Sequence, residues 1–284
     1  MNIKNIIVGI DGSAASNEVL KRAFLLCKDK NTHITAVHVI ETTLMETFFT
    51  NKSSDEVKHE VRISMADRIK KLNQFNANVS ILVTTGKTAD EIISKAQELE
   101  AELVVIGANS KEDLNNKVFG SIAHKIAQKS NRPLLIVKNR CEKEYENVLA
   151  FSDLTHVSEK SILFAKSFFN KAKFTLVHAY KQLSEFTLSF YNALEAKEGL
   201  QQKITRETTE KFEAFSKKVG IEDTELIEAY YTFNNILLEA AEAHSNDLVV
   251  LGSHGVKDTT AFLQGSTSSF LMEHVQSDVL VYVP

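Results

Sequence analysis

Runs of Val, Ile and Leu without polar alternation recur along the chain, and between them apolar residues return every three or four positions. A strand covered on both faces has no solvent side to mark, so it shows as an unbroken apolar run. The first half has five such runs: Ile3–Ile10, Ile34–Ile40, Val79–Val83, Leu103–Ile106 and Leu134–Val137. Between the second and third, Val57, Val61, Met65, Ile69 and Leu72 form the stripe of an amphipathic helix. Strands alternating with helices predict a parallel sheet with helices on both faces. The second half repeats the scheme, with a longer helical stretch from about Ser184 to Val219.

The two halves also match each other. NIIVGIDGSAASNEVLKRAFLLC (Asn5–Cys27) resembles NVLAFSDLTHVSEKSILFAKSFF (Asn147–Phe169), each running from a strand through an aspartate, Asp11 or Asp153, into a helix. Thr32–Glu41 answers to Ala172–Lys181, and Glu102–Gly107 to Asp247–Gly252. The offset is 142 at the aspartates and 145 both at Gly107 and Gly252 and at Gly120 and Gly265. A repeat of this length is a domain. The expectation is therefore two tandem doubly wound α/β domains, 1–140 and 146–284, joined in the charged stretch Asn139–Asn147.

Composition narrows the class. With 284 residues, 43% hydrophobic and 25% charged, each half can bury a core of its own. A net charge of −4 gives no nucleic-acid arm. No apolar run approaches the ~20 residues that span a bilayer, and MNIKNIIVGIDGS lacks the pattern of a secretory signal. The two cysteines, Cys27 and Cys141, stand in unrelated contexts, so neither a disulfide scaffold nor a redox pair is expected. A cytoplasmic setting, with no nucleic-acid or membrane partner, fits these features.

Ligands of an open parallel sheet bind beyond the carboxyl ends of its strands. That rule selects the first-strand ends (Gly9–Ser13 and Phe151–Asp153), the second-strand ends (Val39 and Ala179) and the glycine loops after the fourth strands. In the second copy that loop is GSHGVKDTTAFLQGS, Gly252–Ser266. Where a loop enters a helix, free backbone N–H groups and the helix dipole favour an anion, and glycine lets the backbone approach it. The same residues also make ordinary turns and caps, so the loop alone leaves both readings open. A Walker loop and a GxGxxG after a strand are both missing. Nine histidines include no HExxH and no close His/Asp cluster, so no metal site is expected, and with no Ser–His–Asp order or nucleophile elbow to be read, no catalytic group is expected either. His38 and His178 sit at matching places in their second strands and read as structural.

The opening IIVGIDGSAAS, the LVVLG strand, and GxxG followed after nine residues by Gly-Ser resemble the universal stress protein family over essentially the whole chain, twice. The resemblance implies five-stranded parallel sheets of order 3-2-1-4-5. It also implies that the two last strands, Leu134–Val137 and Val279–Val283, meet across a pseudo-twofold axis, and that whole chains pair as homodimers. The family's nucleotide-binding branch holds ATP. Carried over, this implies a site for ATP or another adenine nucleotide, with or without Mg, in the second copy. Phe151, Ser152, Asp153, Ala179 and Leu251 would surround the nucleoside; Gly252, His254, Gly255, Gly265, Ser266, Thr267 and Ser268 would surround the phosphates.

The first copy keeps Asp11, Val39, Gly107, Gly120 and Ser121, but Ser110 replaces the loop's second glycine and Glu112 and Asp113 follow. Its site reads as degraded for phosphate, because serine resists positive φ and the acidic pair repels an anion. At the 145 offset, Tyr231 falls where the first copy has Gly86; its ring could stack on a base, fill the pocket or lie on the surface. The aromatic stretch Leu183–Leu200 reads as packing on its own sheet, or as a flap or partner surface. The leading expectation is a sensor or regulator with at most slow ATP hydrolysis. The alternatives are a nucleotide-free interaction protein working through partners or an apolar ligand and, with least support, an ATP-dependent enzyme.

Overall fold

The computed structural model describes residues 4–28, 31–41, 52–108, 119–183, 197–252 and 267–283. In the N-terminal copy the elements are β1 (Asn5–Gly9), α1 (Ala15–Cys27), β2 (His33–Glu41), α2 (Ser54–Leu72), β3 (Asn78–Gly86), α3 (Thr88–Glu98), β4 (Leu103–Gly107), α4 (Ser121–Lys129) and β5 (Leu134–Val137). The C-terminal copy repeats the order: β6 (Asn147–Phe151), α5 (His156–Phe168), β7 (Lys173–Lys181), α6 (Lys197–Val219), β8 (Asp223–Ala229), α7 (Phe233–Ala243), β9 (Leu248–Gly252), α8 (Thr267–His274) and β10 (Asp278–Tyr282). Local signals fix several ends. Ser53 and Glu56 form a reciprocal capping box that starts α2, and Thr155 accepts from the Ser158 amide at the start of α5.

All ten strands form one sheet, in the order β3-β2-β1-β4-β5-β10-β9-β6-β7-β8. Pairing within each copy is parallel. The joint between copies is antiparallel, with Ile136 opposite Val279, Leu135 opposite Leu280 and Leu134 opposite Val281. Because side chains alternate across a strand, the ten strands present two continuous apolar faces. Leu103, Val105, Leu135, Leu280, Leu248 and Val148 belong to one face, with α1, α2, α5 and α6 packed on it through residues such as Phe24, Met65, Ile162 and Phe215. Val104, Ile136, Val279 and Val249 belong to the other, covered by α3, α4, α7 and α8 through Ile92, Ile126, Leu237 and Leu271. Neither core stops at the boundary between copies.

The connection between copies is tied down along its length. Asp278, at the start of β10, accepts from the Lys138 and Asn139 amides at 2.8 and 3.0 Å and from the Tyr145 hydroxyl at 2.6 Å. Arg22 of α1 lies over the Tyr145 ring at 3.8 Å, donates to the Lys143 carbonyl and faces Asp278 at 3.7 Å. Glu18 accepts from the Cys141 amide, and Asp247 from the amides of Glu146 and Asn147. The buried Lys138 ammonium donates to the Met272 and Val275 carbonyls at 2.8 and 2.7 Å, at the C-terminal end of α8, where the helix dipole favours a cation. A second contact, His124 of α4 to Glu273 of α8 at 3.2 Å, crosses the joint near the surface. Asp278→Ala would leave Arg22 buried without its anion and should cost about 3–5 kcal/mol. Glu273→Gln, at the partly exposed contact, should cost no more than about 1 kcal/mol. Chemical denaturation of both variants checks the contrast.

Candidate functional site

In the N-terminal copy the carboxyl edge of the sheet opens into a cavity of about 540 Å³. All five residues expected there, Asp11, Val39, Gly107, Gly120 and Ser121, line it. Its floor is the end of β1, where a Cβ on Gly9 would stand 2.8 Å from Ile92 Cδ1 and 3.1 Å from Ile106 Cγ2. Glycine therefore lets α3 close against the strand. The Ile10 amide donates to the Val37 carbonyl, and His38 Nδ1 donates to the Ile10 carbonyl at 3.1 Å, fixing the turn after β1. The Asp11 carboxylate is held by its own turn: one oxygen accepts from the Ser13 amide and from the Ser13 and Ser16 hydroxyls. Arg68 of α2 clamps the same turn through the Asp11 and Ser13 carbonyls and the Asn17 side chain. Gly120 donates its amide to Ala108 at 2.7 Å and caps α4, with Ser121 next. Ser110, Glu112 and Asp113 lie outside the described residues.

The C-terminal copy builds the same edge from different residues. The Ser152 amide donates to the Val177 carbonyl and His178 Nδ1 to the Ser152 carbonyl at 2.7 Å. Asp153 accepts from the Thr155 amide at 3.1 Å and hydroxyl at 2.6 Å. Desolvation works upward on this carboxyl, but the bonds from Thr155, Ser158 and its own backbone together outweigh it and hold it below its ordinary range. Ser152 is spent on Ser158 and the Leu154 amide. Leu154 has φ +62°, a left-handed conformation costly for a leucine, in the turn that presents Asp153. Phe151 and Leu251 are 6% and 2% exposed and enter the core, so their side chains do not face the edge. Gly252 ends β9 against the first turn of α5, and Ser268 of α8 donates to its carbonyl at 3.2 Å. Thr267 begins α8. His254, Gly255, Gly265 and Ser266 lie outside the described residues, as does most of Leu183–Leu200.

A family model, that of the universal stress protein family, matches residues 2–138 and again 144–283. The chain belongs to the universal stress protein family. Universal stress protein YxiE of Bacillus subtilis is 27% identical over 144 residues, which is 97% of its own length and 47% of this chain. A universal stress protein from Archaeoglobus fulgidus superposes with TM-score 0.67 at 17% identity, covering 99% of both chains. The Pseudomonas aeruginosa protein PA1789 superposes with TM-score 0.71 at 17% identity, covering 99% of this chain and 93% of its own. The tandem arrangement is thus shared at the level of fold.

Register between the two universal stress protein copies corrects one expected correspondence. Glu41 pairs with Gly86, and its counterpart Lys181 pairs with Ala229. Gly86 therefore corresponds to Ala229, not to Tyr231. The 145 offset holds for α3 and α7 but not for the strands before them, because Tyr230 and Tyr231 lengthen the second turn. Tyr231 is 48% exposed and donates to Glu239 on α7. The same register bears out the pairing of Thr32–Glu41 with Ala172–Lys181: the last residue of the second strand is Glu41 in one copy and Lys181 in the other.

Burial outweighs the carbonyl hydrogen bonds of His38 and His178 and lowers both below their ordinary 6.5. As pH falls, the unfolded chain therefore takes up these protons first. The stability that the neutral rings contribute is complete above pH 6.5 and is lost as pH falls through the folded values. NMR titration should place both imidazoles below 6.5, and His178→Gln should flatten the acid side of the stability profile.

Proposed function

We propose that the C-terminal copy binds an adenine nucleotide and that the protein acts as a cytoplasmic sensor or regulator. The observation that carries this reading is the approach of the two flanks of the glycine loop: β9 ends at Gly252, α8 begins at Thr267, and Ser268 donates to the Gly252 carbonyl at 3.2 Å. Both ends of the loop therefore stand at the carboxyl edge, where a phosphate would meet free amides and the N-terminal end of α8. Within this reading Gly252, His254, Gly255, Gly265, Ser266, Thr267 and Ser268 surround the phosphates, and Mg accompanies them as counter-ion. Asp153 holds the ribose through the carboxylate oxygen that its turn leaves over. Ala179 and the backbone of Phe151, Ser152 and Leu251 border the base. Lys181 stands on the same edge and adds a positive charge. A positioned base for attacking water is not among the described residues of this edge, so any hydrolysis is slow. Whole chains pair as homodimers in the same reading.

Denaturing freshly purified protein should release ATP, ADP or AMP in stoichiometric amount from the wild type and none from Gly265→Glu. Added ATP at about a hundredfold its Kd should stabilise the emptied wild type by about 2.7 kcal/mol, seen as a thermal shift. No released nucleotide and no shift would make the loop a turn, and the protein a partner-binding one.

A further inference from the structure

We infer that the N-terminal cavity takes an uncharged, phosphate-free small molecule. The inference stands apart from the nucleotide reading of the other copy. A volume of about 540 Å³ lies within the range of small-molecule sites, ~300–1,000 Å³. Much of its wall is aliphatic: Val57 and Val61 from α2, Ile92 from α3, Ile122 and Ile126 from α4. Such walls reward apolar area removed from water.

The charges at the cavity decide what it refuses. Its charged lining residues are Asp11 and Glu41, and among the described residues neither lysine nor arginine lines it. Arg68 is committed to two carbonyls and to Asn17. Glu41 accepts from Thr88 at the rim, 3.2 Å away. His38 is held neutral by burial, so it offers an acceptor and no charge. One feature favours an anion, the N-terminal end of α4 at Ser121. A helix end supplies only about half a positive charge, against two carboxylates, and the Gly120 amide is already donated to Ala108. Among the described lining residues the balance is negative, and a polyphosphate would add like charge to it. At the Glu41 position the other copy has Lys181, so the two edges differ in sign where they are otherwise built alike.

The test uses the full-length protein with labelled isoleucine methyl groups, in which Ile92, Ile122 and Ile126 line this cavity. Adenosine and Nile red serve as uncharged probes and ATP as the charged one. At least one uncharged probe should move these three signals, and ATP should do so at least about tenfold more weakly. Glu41→Lys changes an exposed side chain and should narrow the difference between adenosine and ATP. The inference is overturned if ATP moves the signals as readily as adenosine, if neither uncharged probe moves them, or if Glu41→Lys leaves the preference unchanged. Repeating the titrations in Gly265→Glu removes nucleotide from the other copy, so that shifts arising there are told apart from binding at this cavity.

Discussion

The antiparallel pairing of β5 with β10 is the contact on which the rest of the molecule depends. Each copy ends its sheet on a strand whose outer edge would otherwise leave backbone donors and acceptors open. Pairing those edges satisfies them and merges two sheets into one of ten strands. It also makes each apolar face continuous, so that Leu135 and Leu280 of different copies share one core. The polar groups at the end of this joint are buried too. Asp278 is satisfied only because Lys138, Asn139 and Tyr145 of the connecting segment turn towards it. The segment that composition marks as a charged boundary is in fact part of the seam.

Much of this organisation was legible in the chain. Both-face burial left apolar runs, and the repeat was visible because each copy keeps a strand, an aspartate and a helix in the same order. Asp11 and Asp153 could be placed at the edge, but their engagement with Ser13 and Thr155 could not, since it depends on rotamers in a tight turn. Phe151 illustrates another limit. Its place at a strand end was clear, yet strand alternation turns its ring into the core. The Tyr231 correspondence failed because one offset was carried through a turn that differs in length between copies. The seam formed by Arg22, Tyr145 and Asp278 had no local signal, since its members lie far apart in sequence and meet only after the sheet closes.

Duplication within one chain frees each copy to change separately. In a homodimer any substitution at a site appears twice. Here Gly9 and Phe151 occupy equivalent strand ends, and so do Glu41 and Lys181, without disturbing the shared framework. The differences sit at the carboxyl ends of the strands, where the ladder itself is kept: Gly9 and Phe151 pair with Val37 and Val177, and Glu41 and Lys181 with Gly86 and Ala229.

Lys138 gives the seam a mechanical meaning. Helix α8 begins at the glycine loop and ends, eight residues later, on an ammonium group that belongs to the other copy. That same ammonium lies 5.9 Å from the ring of Phe119, the residue before Gly120 at the mouth of the N-terminal cavity. A helix of this length is a stiff rod of about 12 Å. Any displacement at one end must be absorbed by Lys138 or passed on to Phe119. If occupancy of either edge shifts this rod, the other edge feels it with equal free energy, since such linkage is reciprocal.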